Sequence, residues 1–356
     1  MSIEVDNKDN KDNNQNNNNQ TQRYNLPQIP LNWNSTLTGE TGLLIKTYSY
    51  FQYDEASSAL QKSIRRGLEF ETVQWCVEMW YTNDVARTNL WNRLFTIAVE
   101  DVGLGNPSAI FQILHLYNTD CKNILNLVTG ALYLAQSMKC RANDWALHYL
   151  DLSESINVNV NKEVNKEVNN KTNNINLNEI KNSLIQNLLQ KDYINAILNT
   201  GKLMYTNLKI AGRYKNPIIL IWNAIFTVIT KNNINYKYVK ELYELYMSSN
   251  WRWSGRGNLL IIHLIFMICL NLDDNEIVLL EANLLKLKLN PYIQIAVSRK
   301  LLLGMPVYAI DKHTRLGRKL GKTIDDFIRV GSICTNLHPE YIELNDYYFR
   351  LVFGNF

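Results

Sequence analysis

The feature that most narrows the folds open to this chain is a one-turn spacing of apolar residues, repeated with short interruptions from Asp54 to Asp151. Asp54 is a candidate N-cap, followed on one helix face by Ser57, Leu60 and Ile64. Val73, Val77 and Trp80 continue the pattern, then Leu90, Leu94, Ile97 and Ala98. Pro107 suits a first helical position ahead of Ile110, Ile113, Leu114 and Tyr117. Leu125, Val128, Leu132 and Ala135 form another stripe, and residues 144–150 a short last one. Apolar residues at this period bury one face of a helix, and short loops between them make neighbours antiparallel. The spacing predicts an all-α, multi-helix bundle in one or two lobes. No β-alternation is sustained anywhere.

Residues 179 to about 303 repeat the helical period, with helices predicted at 180–189, 193–200, 217–230, 238–247, 258–270, 276–287 and 291–303. Two stretches break it. Residues 1–28 are Asn-rich and bury too little apolar surface to offset chain entropy, so a disordered tail is predicted. Residues 152–178, with the near-repeat at 161–168, read as a flexible insertion. The domain reading is therefore a tail at 1–28, a helical domain at 45–151, the insertion at 152–178 and a second helical lobe at 179–356.

Composition excludes several classes. The chain has 356 residues, of which 46% are apolar, enough for a sizeable core. The net charge of +4 is too small to argue nucleic-acid binding unless it is clustered. Five scattered cysteines, with no C-x-x-C, suit a reducing compartment and give no zinc motif. No signal peptide or membrane-length apolar run is present, so an intracellular protein (cytoplasm, nucleus or viral replication site) that does not engage a membrane is expected. The stretch from Gly39 to Thr47 ends in Lys-Thr, but Ile45 stands where a P-loop needs glycine. No other catalytic motif appears, so neither an enzyme nor a cofactor is expected.

Two polar segments stand out. The first runs Tyr53-Asp-Glu-Ala-Ser-Ser-Ala-Leu-Gln-Lys-Ser-Ile-Arg-Arg-Gly67 and continues through Leu90-Trp-Asn-Arg-Leu-Phe-Thr-Ile-Ala-Val-Glu-Asp-Val-Gly-Leu-Gly-Asn-Pro107, with Ser137-Met-Lys-Cys-Arg-Ala-Asn-Asp-Trp-Ala-Leu147 belonging to it. It resembles the C-terminal helical region of the replication-associated recombination protein A family, clamp-loader-like AAA+ ATPases whose pattern there includes "ALxKSIRG" and "RxxIASEDIGLADP". The match is carried by Ser63, Ile64, Arg65, Arg93, Ala98, Glu100, Asp101, Gly103, Leu104 and Pro107. The second segment, Asp311-Lys-His-Thr-Arg-Leu-Gly-Arg-Lys-Leu-Gly321, resembles a signature of relatives of the same region. The resemblance covers residues 45–150 and 300–336, without the ATPase module upstream. It implies a collar that holds a ring together, hence a homo-oligomer or a separate ATPase subunit as partner.

The residues themselves leave two readings open. Lys312, His313, Arg315, Arg318, Lys319 and Lys322, punctuated by Gly317 and Gly321, form a candidate phosphate or DNA contact, to which Arg65 and Arg66 could add. In the structural reading Asp311 caps a short helix and the arginines pair with Glu100, Asp101 or Asp325. Arg93 and Glu100, seven apart, share a helix face and suit a polar packing network with Asp101 and Asp311. An Asp311–His313 catalytic pair lacks a nucleophile. The Trp- and Arg-bearing stretch 251–257 suits aromatic packing or base stacking. The expected function is a non-catalytic oligomerisation or DNA-binding protein of replication or repair. The rivals are a structural all-α protein, viral in one version, and a nucleic-acid-processing enzyme built on Asp311 and His313.

Overall fold

The computed structural model describes residues 46–164, 176–206, 208–210, 213–215, 217–229, 234–248, 255–271 and 304–354. The expectations for 1–28, for 165–175 of the insertion, for the helices at 276–287 and 291–303, and for 251–254 lie outside the described residues. The described chain is all-α, as expected, apart from one small hairpin of β1 (Leu208–Ile210) and β2 (Arg213–Lys215), paired antiparallel.

Helix α1 (Tyr53–Arg65) lies at the centre of the N-terminal half, against α2 (Glu69–Trp80) and α5 (Ile124–Gln136). Asp54 and Glu55 in its first turn and Lys62 and Arg65 in its last complement the helix dipole. It stops at Gly67, whose φ of 65° is left-handed, with Leu68 N donating to Ser63 O and Gly67 N to Ile64 O. The expected N-cap is corrected here. Gln52 holds that position without a side-chain cap. The Asp54 carboxylate instead accepts the Arg315 N–H at 2.7 Å, a long-range partner that local pattern does not reveal.

Helix α3 (Asp84–Ile97), capped by Asn83, ends in a π-turn over Ala98–Val102 and a 3-10 turn over Gly103–Gly105. The extra residue of the π-turn places Glu100 and Asp101 off the regular α-helical face. Segment 138–143 passes tightly beneath. A Cβ on Gly103 would lie 2.5 Å from Cys140 O, and one on Gly105 2.6 Å from Met138 O. Helix α4 (Ala109–Asp120) begins two residues beyond Pro107, which sits in the preceding turn rather than at the first helical position. Helix α6 (Ala142–Val164) does not stop at Leu150 as expected but runs into the expected insertion. Leu150 packs against Gly201, and Asp151 accepts a hydrogen bond from Tyr205, so tertiary contacts carry the helix onward.

Helices α7 (Leu177–Leu189) and α8 (Tyr193–Tyr205), capped by Asn176 and Asp192, pack on each other. After β1 and β2 come α9 (Ile218–Val228), α10 (Ile234–Ser248) and α11 (Gly255–Leu270). Nearly every described side chain of α11 is buried, because it packs on α6, α7, α8, α10 and the turns at 98–105. One continuous apolar core thus joins the halves.

The C-terminal segment departs from the domain reading. It contains a 3-10 turn (Val307–Ala309), α12 (Arg315–Lys319), a single turn α13 (Ile324–Asp326), a π-turn (Phe327–Gly331) and α14 (Ile342–Phe353). These elements do not build on the second lobe alone. The Val307–Ala309 turn and α12 pack on α1, residue Leu337 bridges to Lys139, and α14 lies along α6. Since Gly103 combines a positive φ with a carbonyl in the path of any Cβ, Gly103→Ala should lower unfolding stability by roughly 2–5 kcal/mol in urea titration. A loss below about 1 kcal/mol would mean that the turn can move off Cys140.

Candidate functional site

The last turn of α1 carries long polar side chains into the interior, and each finds a partner far away in sequence. Lys62 Nζ lies 2.5 Å from Asp311 Oδ2, both side chains under a twentieth exposed. Arg65 uses its whole fork: Nε donates to Asp101 Oδ1 at 2.5 Å, Nη2 to Glu100 Oε1 at 3.1 Å and Nη1 to Gly331 O at 3.1 Å. Arg141, at the start of α6, approaches the same Asp101 oxygen at 3.1 Å, pairs with Asp144 and stacks on Trp145 at 4.0 Å. Gln61 ties the carboxylates together, donating to Glu100 at 2.9 Å and Asp101 at 2.8 Å, and accepts from Arg93 at 3.3 Å.

Burial acts on these charges differently. Desolvation opposes the Arg65 charge, but Asp101 and Glu100 more than offset it, and its pKa ends above the ordinary arginine value. Burial pushes Lys62 down to about 8, with Asp311 opposing the fall. Glu100 is pushed up to about 7, first by burial and then by Asp144 and Asp101, against the pull of Arg65 and Arg141. Two guanidinium groups face three carboxylates here, so the acids repel one another and Glu100 holds its proton more tightly than an ordinary carboxyl.

The structure separates the expected site residues. Arg65 is withdrawn into the interior at 3% exposure and offers nothing to a nucleic acid. Arg66 is half-buried over the Tyr308 ring at 4.4 Å and donates to Lys62 O and Val330 O; burial lowers its pKa. Arg315 is half-buried, and Lys322 pairs with Asp326 at 3.2 Å. Arg318 and Lys319 are exposed, Arg318 donating to His313 O at 2.8 Å. Lys312 is half-buried, 5.9 Å from the centre of the Phe327 ring. The arginines of 312–322 do not pair with Glu100, Asp101 or Asp325, because Arg65 and Arg141 already occupy the first two.

Asp311 does not cap α12; Thr314 does, accepting the Gly317 N–H at 3.1 Å. Asp311 instead accepts the main-chain N–H of His313 at 2.8 Å while its other oxygen holds Lys62. The His313 imidazole packs edge-on against Phe327 and burial lowers its pKa. Asp311 is therefore not oriented on the imidazole as an acid–base partner. Gly317 is required sterically, since a Cβ there would sit 1.7 Å from Asp311 O. Sequence reasoning missed Gln61, Lys62, Arg141 and Asp144. The available signals were Lys62 one turn before Arg65 and the three-residue spacing of Arg141 and Asp144.

Above this network opens a cleft of about 1010 Å³, walled by α1, α3, α6, the 311–327 stretch and the end of α14. Among the described residues no group of His, Cys, Asp and Glu is arranged to hold a metal ion, and no helix is long and apolar enough to cross a membrane. Fold and site together define an all-α protein whose N-terminal helices and C-terminal segment are joined by the buried Lys62–Asp311 ion pair and the Arg65–Gly331 hydrogen bond. Comparison with known protein families, curated proteins and solved structures finds no match.

Asp311→Ala strands the Lys62 charge in the interior and should cost about 3–5 kcal/mol. Limited proteolysis should then cut within 304–354 before the rest unfolds; cleavage no faster than in the native chain would mean that another contact holds the segment. Glu100 gives a pH signature. Its folded-state pKa lies above the unfolded value of 4.5, so its contribution is present below that value and is lost as pH rises towards 7, by roughly 3 kcal/mol. His263, held down to about 4 by burial, slopes the other way. The stability of Glu100→Gln relative to the native chain should therefore climb from about pH 5 to about pH 8. A flat difference would place the proton elsewhere.

Proposed function

We propose that this chain is a non-catalytic protein of DNA replication or repair. It assembles with copies of itself or with a separate ATPase subunit and touches nucleic acid through the basic turn at 312–322. The observation that carries this reading is convergence. Lys62 and Asp311, which belong to the two segments that resemble the clamp-loader-like collar, lie 249 residues apart in the sequence, and Arg65 and Gly331 lie 266 apart, yet they meet in one buried network. Chance likeness in two unrelated stretches gives no reason for that meeting.

The geometry also divides the candidate contacts. Arg65, Arg93, Glu100, Asp101 and Asp311 serve the framework, while Arg318 and Lys319 stand in solvent on a turn fixed from beneath by Thr314 and Gly317. Exposed cations on a rigid turn suit phosphate contacts that position a strand without reading its bases. The commitment of Asp311 to Lys62 speaks against the nuclease-like alternative built on Asp311 and His313. The setting consistent with this role is intracellular, at a site of replication.

Binding of single-stranded and branched DNA across a salt series, with mass in solution recorded alongside, tests the reading. An oligomer whose affinity falls with salt, and whose log–log salt slope shrinks by about two in Arg318→Ala/Lys319→Ala, is the expected result. A monomer that binds no DNA would overturn it and leave a purely structural role.

A further inference from the structure

The turn that leads into α1 holds a large aromatic residue in a strained conformation and in solvent. Lys46 and Gln52 pair as an antiparallel bridge, and Tyr50 lies between them with φ 68°, a left-handed backbone that residues as bulky as tyrosine rarely adopt. Tyr50 is 81% exposed, so burial of its ring does not explain the strain. The turn is fixed from beneath instead. The buried Thr47 donates its N–H to Phe51 O at 2.8 Å, accepts the Tyr50 N–H on its carbonyl at 2.9 Å and accepts the Phe51 N–H on its hydroxyl at 3.1 Å. Both oxygens of the buried Glu78 accept from Ser49, one from its N–H at 2.5 Å and one from its hydroxyl at 2.8 Å. Phe51 packs edge-on against Trp75, and Tyr48, 54% exposed, lies 6.3 Å from the Tyr81 ring. Strain of this kind persists only where the surroundings over-determine it, and it concentrates where a chain meets a ligand.

This turn is a neighbour of α12. Arg315, the first residue of α12, donates its N–H to Asp54, close after Tyr50 in the chain, and Glu55 senses the charges of both Lys46 and Arg315. Residues 46–55 and 312–326 together carry six lysines and arginines against four carboxylates. Three of those acids do not face solvent freely: Asp326 holds Lys322, Asp54 gives one oxygen to the Arg315 N–H and buries the other, and Glu55 is buried. The exposed charges are Lys46, Arg318 and Lys319 against Asp325 alone. Exposed rings on a fixed backbone beside an excess of cations suit a single strand of nucleic acid, whose phosphates meet the cations while an unpaired base stacks on a ring. A duplex offers no such face, because its bases already stack on one another.

We propose that the turn at 47–51 is a stacking platform for single-stranded nucleic acid, with Tyr50 as the ring that takes an unpaired base. The inference rests on the replication reading for its ligand class and deepens it: it selects the single strand over the duplex and adds a contact outside the basic turn.

Fluorescence anisotropy of the full chain with a labelled oligothymidylate, and separately with a labelled hairpin duplex, tests it. Tyr50→Gly should weaken strand binding by roughly five- to a hundredfold and leave duplex binding unchanged. Its thermal midpoint should be no lower than the native one, because glycine adopts φ 68° without strain, and this separates loss of the ring from loss of fold. Tyr50→Trp should keep native affinity for the strand. Ultraviolet cross-linking of an oligothymidylate carrying iodouracil should label the peptide that contains Tyr48 and Tyr50. If Tyr50→Gly fails to fold, the cross-link carries the test, and labelling only outside that peptide overturns the inference. Native-like strand binding by Tyr50→Gly, or an equal loss on strand and duplex, also overturns it; the replication reading survives that result if the salt slope still shrinks in Arg318→Ala/Lys319→Ala. An unchanged slope in that double variant, with strand binding still weakened by Tyr50→Gly, upholds the stacking site and removes the basic turn as a contact. A native chain that binds neither strand nor duplex overturns both and leaves a protein partner as the ligand of the turn.

Discussion

The contact on which the rest of this structure depends is the fork of Arg65. One side chain at the end of α1 reaches the π-turn after α3 through Asp101 and Glu100, and the C-terminal segment through the carbonyl of Gly331. Burying a guanidinium costs several kcal/mol, and only fully formed hydrogen bonds offset that cost. The offset here requires three chain segments to be in register at once. A slip of any one leaves a charge in the interior without a partner. Such a network is weak as a source of net stability and strong as a condition on arrangement, because the wrong arrangement is penalised far more than the right one is rewarded.

The backbone around the network is built to meet that condition. A regular α-helix through Ala98–Val102 would distribute Glu100 and Asp101 on the ordinary period, about a hundred degrees apart. The π-turn alters that direction, and Gly103 and Gly105 let segment 138–143 pass close enough for Arg141 to share Asp101 with Arg65. Gly331 does the same on the other side, where a Cβ would meet the Phe327 ring at 2.8 Å and Asp311 Oδ2 at 3.0 Å. The glycines that matter most here are thus points of close backbone approach rather than breaks between helices.

Much of this was legible in the sequence, and the boundary is physical. Helix positions followed from apolar period because burial of Leu60, Ile64, Leu90, Leu94 and Leu132 is a local pattern repeated every turn. The caps at Asn83, Asn123 and Asp192 are equally local, an acceptor side chain within three residues of its donor. Asp54 failed as a cap because Arg315, 261 residues away, competes for its carboxylate. Leu150 failed as a helix end because Gly201 receives it. The polar network was half legible: Glu100, Asp101 and Asp311 are marked for polar packing by the sequence, whereas the burial of Arg65 among them and the partner choice of Lys62 and Arg141 exist only in three dimensions.

That partition of cations bears directly on what the protein can touch. A count of Lys and Arg treats Arg65 and Arg318 alike, but desolvation does not. Arg65 is spent on Asp101 and Glu100, Lys62 on Asp311, Lys322 on Asp326, and Arg141 on Asp101 and Asp144. Other cations, Lys122, Lys202, Arg329 and Arg350 among them, stand in solvent at scattered points, whereas Arg318 and Lys319 sit side by side on the turn and Arg93 and Lys312 line the cleft. Both places are positioned by the same buried ion pairs, since Lys62–Asp311 anchors the base of the turn and Gln61 links Arg93 to Asp101 and Glu100. The interior network therefore fixes Arg318 and Lys319 on the turn, and Arg93 and Lys312 on the cleft, relative to one framework.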